Sequence, residues 1–118
     1  MIFLLWTNSC LAQLSLPEQR QFYLEAGENS DDSDQFLAYM DKTDHQTPLM
    51  LAYYASAQAF LSKHAKWTVT KLKYIKLADK SFEQAIVMDS LDAEVRFLRF
   101  AVQHNIPKFL GLINQSIK

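Results

Sequence analysis

The chain is short of everything that punctuates or staples a fold. Cys10 is the one cysteine among 118 residues, so no internal disulfide can form. Two glycines, Gly27 and Gly111, leave no material for a phosphate-cradling loop or a dinucleotide fingerprint. Three prolines add little turn chemistry, and a fold of many short strands needs a turn between each pair. No apolar run approaches the ~20 residues of a membrane-crossing helix, so no span is expected. A formal net charge of −1 removes any general pull toward nucleic acid, and none is expected as a partner.

What is present points to helices. With 49% apolar and 13% aromatic residues the chain can bury a core rather than stay disordered. Its length suits one domain, able to hide roughly two thirds of its surface on folding. Alanine, leucine, lysine, glutamine and glutamate are plentiful, so the expected class is all-α. Charge is segregated along the chain. From Glu18 to Asp44 eight acids face only Arg20 and Lys42, and from Lys63 to Lys80 six lysines face Asp79 alone. The first reading is two wet helix faces that attract each other in the fold. The sharper reading is a basic surface for an anionic partner, although lysines without interleaved arginines or exposed aromatics make a weak phosphate site.

The opening MIFLLWTNSCLAQ carries an uncharged apolar run, then small residues ending in Cys10, Leu11 and Ala12. Cys10 and Ala12 meet the small-residue requirement of a signal-peptide cleavage site, so residues 1–12 are read as a truncated secretory signal. Export to the periplasm or beyond follows. The alternative is a lipoprotein anchored at Cys10, which Thr7 and Asn8 fit poorly. Residues 13–118 are then the single folded domain.

Within that domain, Ser15 and Glu18 have capping-box spacing, and Pro17 suits a first helical turn. Phe22, Tyr23 and Ala26 form an apolar stripe that Gly27 can end in the left-handed conformation. A Ser/Asp cluster opens a short helix with Phe36, Leu37 and Met40 on its buried edge. Thr47 and Pro48 start the most apolar helix, where Ala52, Ala55 and Ala59 make a smooth packing stripe. The segment KWTVTK reads as a loop with Trp67 folded onto the bundle and Thr70 capping the next helix. Leu72, Ile75, Ala78, Phe82, Ala85 and Ile86 then share one face, with Lys73, Lys76 and Lys80 opposite. Asp92 caps a helix that Asn105 can stop, and Pro107 can open a last short one.

The stretch KLADKSFEQAIVMDS resembles the second helix of a tetratricopeptide repeat. That pattern has Ala, Phe four residues on, Ala three further and Pro at the turn. Here Ala78, Phe82, Ala85 and Ser90 occupy those places, with only the last departing. PLMLAYYASAQAF has the character of the first helix, but the connection through SKHAKWTVTK reads as too long for the repeat. The segments AIVMDSLDAEVRFLRF and HNIPKFLG are similar to a group of small exported bacterial helical proteins of uncharacterised function. The resemblance covers most of residues 47–111. It implies antiparallel helical hairpins of tetratricopeptide-repeat type, about five to six helices in a right-handed stack. It also implies a chain that continues past IPKFLG.

Candidate chemistry is sparse. His45, His64 and His104 lack ligand-spaced neighbours apart from Asp41 and Asp44 near His45, so no metal site is nominated. No nucleophile–base set can be assembled, and neither catalysis nor a cofactor is expected. Arg96 and Arg99 share one helix face with Gln103. They either pair with acids, Asp92 and Glu94 being close in sequence, or form a fork for a peptide carboxylate. Tyr53, Tyr54 and Tyr74 are candidates to line the same groove. The expected function is a non-catalytic scaffold binding another protein or peptide, with self-association as a further outcome for a short repeat stack. The alternative is a small-ligand or enzymatic pocket around Arg96, Arg99 and the tyrosines.

Overall fold

The computed structural model describes the backbone of residues 14–110 and the side chains of 14–105. Among these residues are five helices and no strand: α1 (Leu16–Glu28), α2 (Ser30–Lys42), α3 (Pro48–His64), α4 (Thr68–Met88) and α5 (Ala93–Leu110). The signal-like segment 1–12, with Cys10, lies outside the described residues, as do Gly111 and the residues after it.

Local chemistry sets most of the boundaries. Ser15 accepts from Glu18 N at 3.3 Å while the Glu18 carboxylate accepts from Ser15 N at 3.0 Å, closing a capping box. Asn29 serves two helices at once. Its N–H donates to Glu25 O at the end of α1, and its side chain accepts from Asp31 N and Asp32 N at the start of α2. Thr47 caps α3 ahead of Pro48, and Asp92 accepts from Glu94 N and Val95 N to open α5.

Four expectations are corrected. Gly27 is an ordinary residue of α1 rather than a left-handed terminator, because Asn29 already ends the helix in extended backbone. The long Trp-bearing loop does not exist: α4 starts at Thr68, and only Ala65, Lys66 and Trp67 connect it to α3. Trp67 is 72% exposed and is no plug. Finally, α5 runs through Asn105 and Pro107. The Asn105 amide donates to Ala101 O at 2.7 Å, so it binds the helix instead of stopping it.

The core sits around α3, which packs against α1, α2, α4 and α5. Ala52, Ala55, Ala57 and Ala59 are fully buried, and their small side chains let neighbouring helices approach closely. Into that space reach Phe36 and Met40 from α2, Phe82 from α4, and Val95, Leu98 and Val102 from α5. Aromatic edges knit α1 to it: Tyr23 meets Tyr53 at 5.5 Å and Phe60 at 5.3 Å, and Phe22 meets Phe36 at 5.0 Å. Buried polar groups are mostly paired. Ser81 donates to Gln58 Oε1 at 2.9 Å across the α3–α4 seam, and Ser56 donates to Ala52 O. Arg20 pairs with Glu94, and Arg99 with Asp79 and Glu83, and none of these pairs joins the acidic block to the basic one.

Candidate functional site

Three alternate helices meet at one open cleft of about 410 Å³. α1 contributes Arg20, Tyr23 and Leu24, α3 contributes Tyr53, and α5 contributes Ala93, Glu94, Phe97 and Leu98. Its floor is built by the apolar stripes that pack the core, Tyr53 and Leu98 being almost fully buried. Its lips are not. Leu24 is 59% and Phe97 61% exposed, although both are large and apolar. Paired at the mouth of a concavity, they form an apolar rim with nothing described against it.

One wall is a polar triad drawn from three helices. Arg20 holds Glu94 in a two-point fork, Nη2 to Oε1 at 2.6 Å and Nε to Oε2 at 3.0 Å. The Tyr53 hydroxyl donates to the same Glu94 Oε2. The Arg20 hydrogen bonds hold the Glu94 carboxyl below its ordinary value, against a smaller opposing effect of burial. Burial and the adjacent Glu94 charge push the Tyr53 phenol up, and burial pushes Tyr23 up as well. Near neutral pH the wall therefore holds a carboxylate, a guanidinium and two neutral phenols. Such a set offers neither a proton-transfer group poised near 7 nor an activated nucleophile.

The residues nominated from sequence are scattered. Tyr53 lies in this cleft. Tyr54 stacks on His45, with ring centres 4.2 Å apart. Tyr74 lies with His64, Lys66 and Trp67 at the α3–α4 turn. Arg96, Arg99 and Gln103 do share a second cleft, of about 520 Å³, with Ile86 and Phe100 between α4 and α5, and no tyrosine reaches it. There Arg99 is engaged by Glu83 at 2.6 Å and Asp79 at 3.4 Å, both from α4. Arg96 donates to Ser90 O at 3.0 Å. The local pairs expected with Asp92 and Glu94 do not form, since Asp92 caps α5 and Glu94 turns to Arg20.

A larger concavity of about 660 Å³ lies beside the start of α1, lined by Gln19, Thr43, Asp44, Thr47 and Met50 among others. Four of its polar residues already serve the chain itself. Thr43 donates to Met40 O, Asp44 accepts from Gln46 N, Thr47 accepts from Met50 N, and Gln19 donates to Met50 Sδ. That leaves the α1–α3–α5 cleft as the better candidate.

Arg20, Leu24, Glu94 and Phe97 were not nominated from sequence. The available signal was Leu24 and Phe97, large apolar residues standing off the stripes of their helices. No protein-family model, curated protein or solved structure matches the chain.

Proposed function

We propose that the chain is a non-catalytic scaffold that holds an apolar anchor of a peptide or protein in the cleft between α1, α3 and α5. One observation carries this reading: Leu24 and Phe97 stand exposed on either side of a buried apolar floor. An open cleft with a small polar wall fits a peptide side chain better than it fits a reaction. The polar triad gives the cleft a fixed shape, because Arg20, Tyr53 and Glu94 come from different helices and hold one another.

The packing order supports a tetratricopeptide-type stack. α1 and α2 pack as one pair and α3 and α4 as another, while α3 also contacts α2, α5 and, less extensively, α1. In that arrangement α1, α3 and α5 are the inner helices, whose side chains line the groove of a repeat scaffold. The paired states of Arg96 and Arg99 weigh against the alternative pocket centred on them.

The test is a panel of synthetic peptides, each with one bulky apolar anchor, titrated against the wild type and a Leu24→Asp/Phe97→Asp variant by fluorescence anisotropy. Saturable binding by the wild type and its loss in the folded variant is expected. Failure of every peptide, or equal binding by both proteins, would sink the reading. We further propose export, with cleavage after Ala12. N-terminal sequencing of the natural protein should begin at Gln13, and retention of residues 1–12 would reject it.

A further inference from the structure

The outer face of α4 combines two features a soluble helix rarely needs together. At its start, Trp67, just ahead of the first turn, is 72% and Val69 79% exposed, and Leu72, on the flank between this face and the buried stripe, is 43% exposed. Trp67 is the N-cap residue and its carbonyl accepts from Lys71 N, but its indole makes no capping bond and so does nothing for the helix terminus. Lys66 precedes them and Lys73, Lys76 and Lys80 follow along the helix, all exposed. Val69, Lys73, Lys76 and Lys80 fall on the side opposite Ala78, Phe82 and Ala85, the residues that seat α4 on the core. From Val69 to Lys80 this face runs about 16 Å along the helix axis.

The lysines are not neutralised from within. Among the described residues Lys66, Lys76 and Lys80 have no ion pair, and Lys73 only approaches the Tyr74 ring at 5.3 Å. The acids of the same helix, Asp79 and Glu83, are both drawn to Arg99. Arg99 thus offsets one of the two negative charges that sit beside the lysine row.

We propose that this face docks the protein on an anionic lipid surface, with Trp67, Val69 and Leu72 at headgroup depth and the lysines over the phosphates. A tryptophan flanked by small apolar groups suits the membrane–water boundary, where an amphipathic ring finds both environments. Lysine ammonium groups act there as point charges and need no fork geometry. Nucleic acid is a poorer occupant, since no arginine lies in the patch to grip phosphate or base edges. Contact is peripheral, because no described helix is long and apolar enough to cross a membrane. The inference does not rest on the peptide cleft, which is lined by α1, α3 and α5 alone.

The experiment uses the full chain carrying Trp6→Phe, which leaves Trp67 as its sole tryptophan. It is mixed with phosphatidylcholine vesicles, with and without about 30% phosphatidylglycerol, an anionic fraction large enough to set a surface potential. Expected are co-sedimentation with the anionic vesicles only, a blue shift of Trp67 emission, and quenching by brominated acyl chains. A Lys73→Gln/Lys76→Gln variant should bind about 25-fold more weakly, at roughly five-fold per lysine. Residues 1–12 are common to all variants, so the difference between them reports α4. Any one of four results overturns the proposal: no partitioning by folded protein, equal binding to neutral vesicles, binding that leaves Trp67 emission unchanged, or tighter binding to heparin or single-stranded DNA than to the vesicles.

Discussion

α3 and α5 are both rich in large apolar side chains, yet they dispose of them differently. From Leu51 to Phe60, α3 buries every residue except half-buried Tyr54. α5 buries Val95, Leu98 and Val102 but leaves Phe97 and Phe100 61% and 63% exposed. The cause is position. α3 is surrounded by four helices, whereas α5 packs against α3 and α4 and meets α1 at the Arg20–Glu94 pair. Hydrophobicity decides that a helix will pack, and the number of neighbours decides how much of it does.

The comparison breaks most visibly through phenylalanine. Phe82 is 1% exposed against the alanine stripe of α3, so Phe82→Ala should cost about 3–5 kcal/mol in urea unfolding. Phe97→Ala and Phe100→Ala should each stay within about 0.5 kcal/mol of wild type. A large loss at Phe97 would mean that its ring packs into the cleft between α1, α3 and α5 even in the isolated protein.

Next in size is the polar wall that ties α1 to α5. Glu94→Ala strands the hydroxyl of Tyr53, a residue only 2% exposed, and should cost about 1–3 kcal/mol from that group. Tyr53→Phe introduced into the Glu94→Ala background should then cost little more, or recover some stability, since the stranded donor is gone. The same wall makes stability depend on pH at both ends. Glu94 is depressed below its ordinary 4.5, so its contribution is complete above that value and disappears as pH falls through the depressed one. Tyr53 is raised above its ordinary 10.0, so its contribution is complete below pH 10 and is lost as pH climbs toward the raised value. Urea midpoints measured against pH should show both limbs, and Glu94→Gln should flatten the acid one.

The same contrast separates what was legible in the sequence from what was not. Caps are local, so Ser15, Thr47 with Pro48, and Asp92 announced three of the five helices. The stripe Ala78, Phe82 and Ala85 identified the buried side of α4 because one period governs it. The cleft was opaque because Arg20 and Glu94 are 74 residues apart, and nothing local marks them as neighbours. The KWTVTK segment misled through its β-branched residues. Thr68, Val69 and Thr70 are helical all the same, their side chains lying exposed or half-exposed where crowding is slight.

The smallest effect has the most informative sign. Gly27 lies within α1, and a Cβ there would sit 3.4 Å from Phe60 Cζ, an ordinary van der Waals contact. Replacing a helical glycine by alanine removes freedom from the unfolded chain, so Gly27→Ala should stabilise by about 0.5–1 kcal/mol. Had Gly27 ended the helix in the left-handed conformation, as the sequence pattern allowed, the same change would cost about that much or more. A gain therefore places the end of α1 at Asn29 and lets the new methyl pack between α1 and α3. A loss would restore Gly27 as the terminator and leave Asn29 to cap α2 alone.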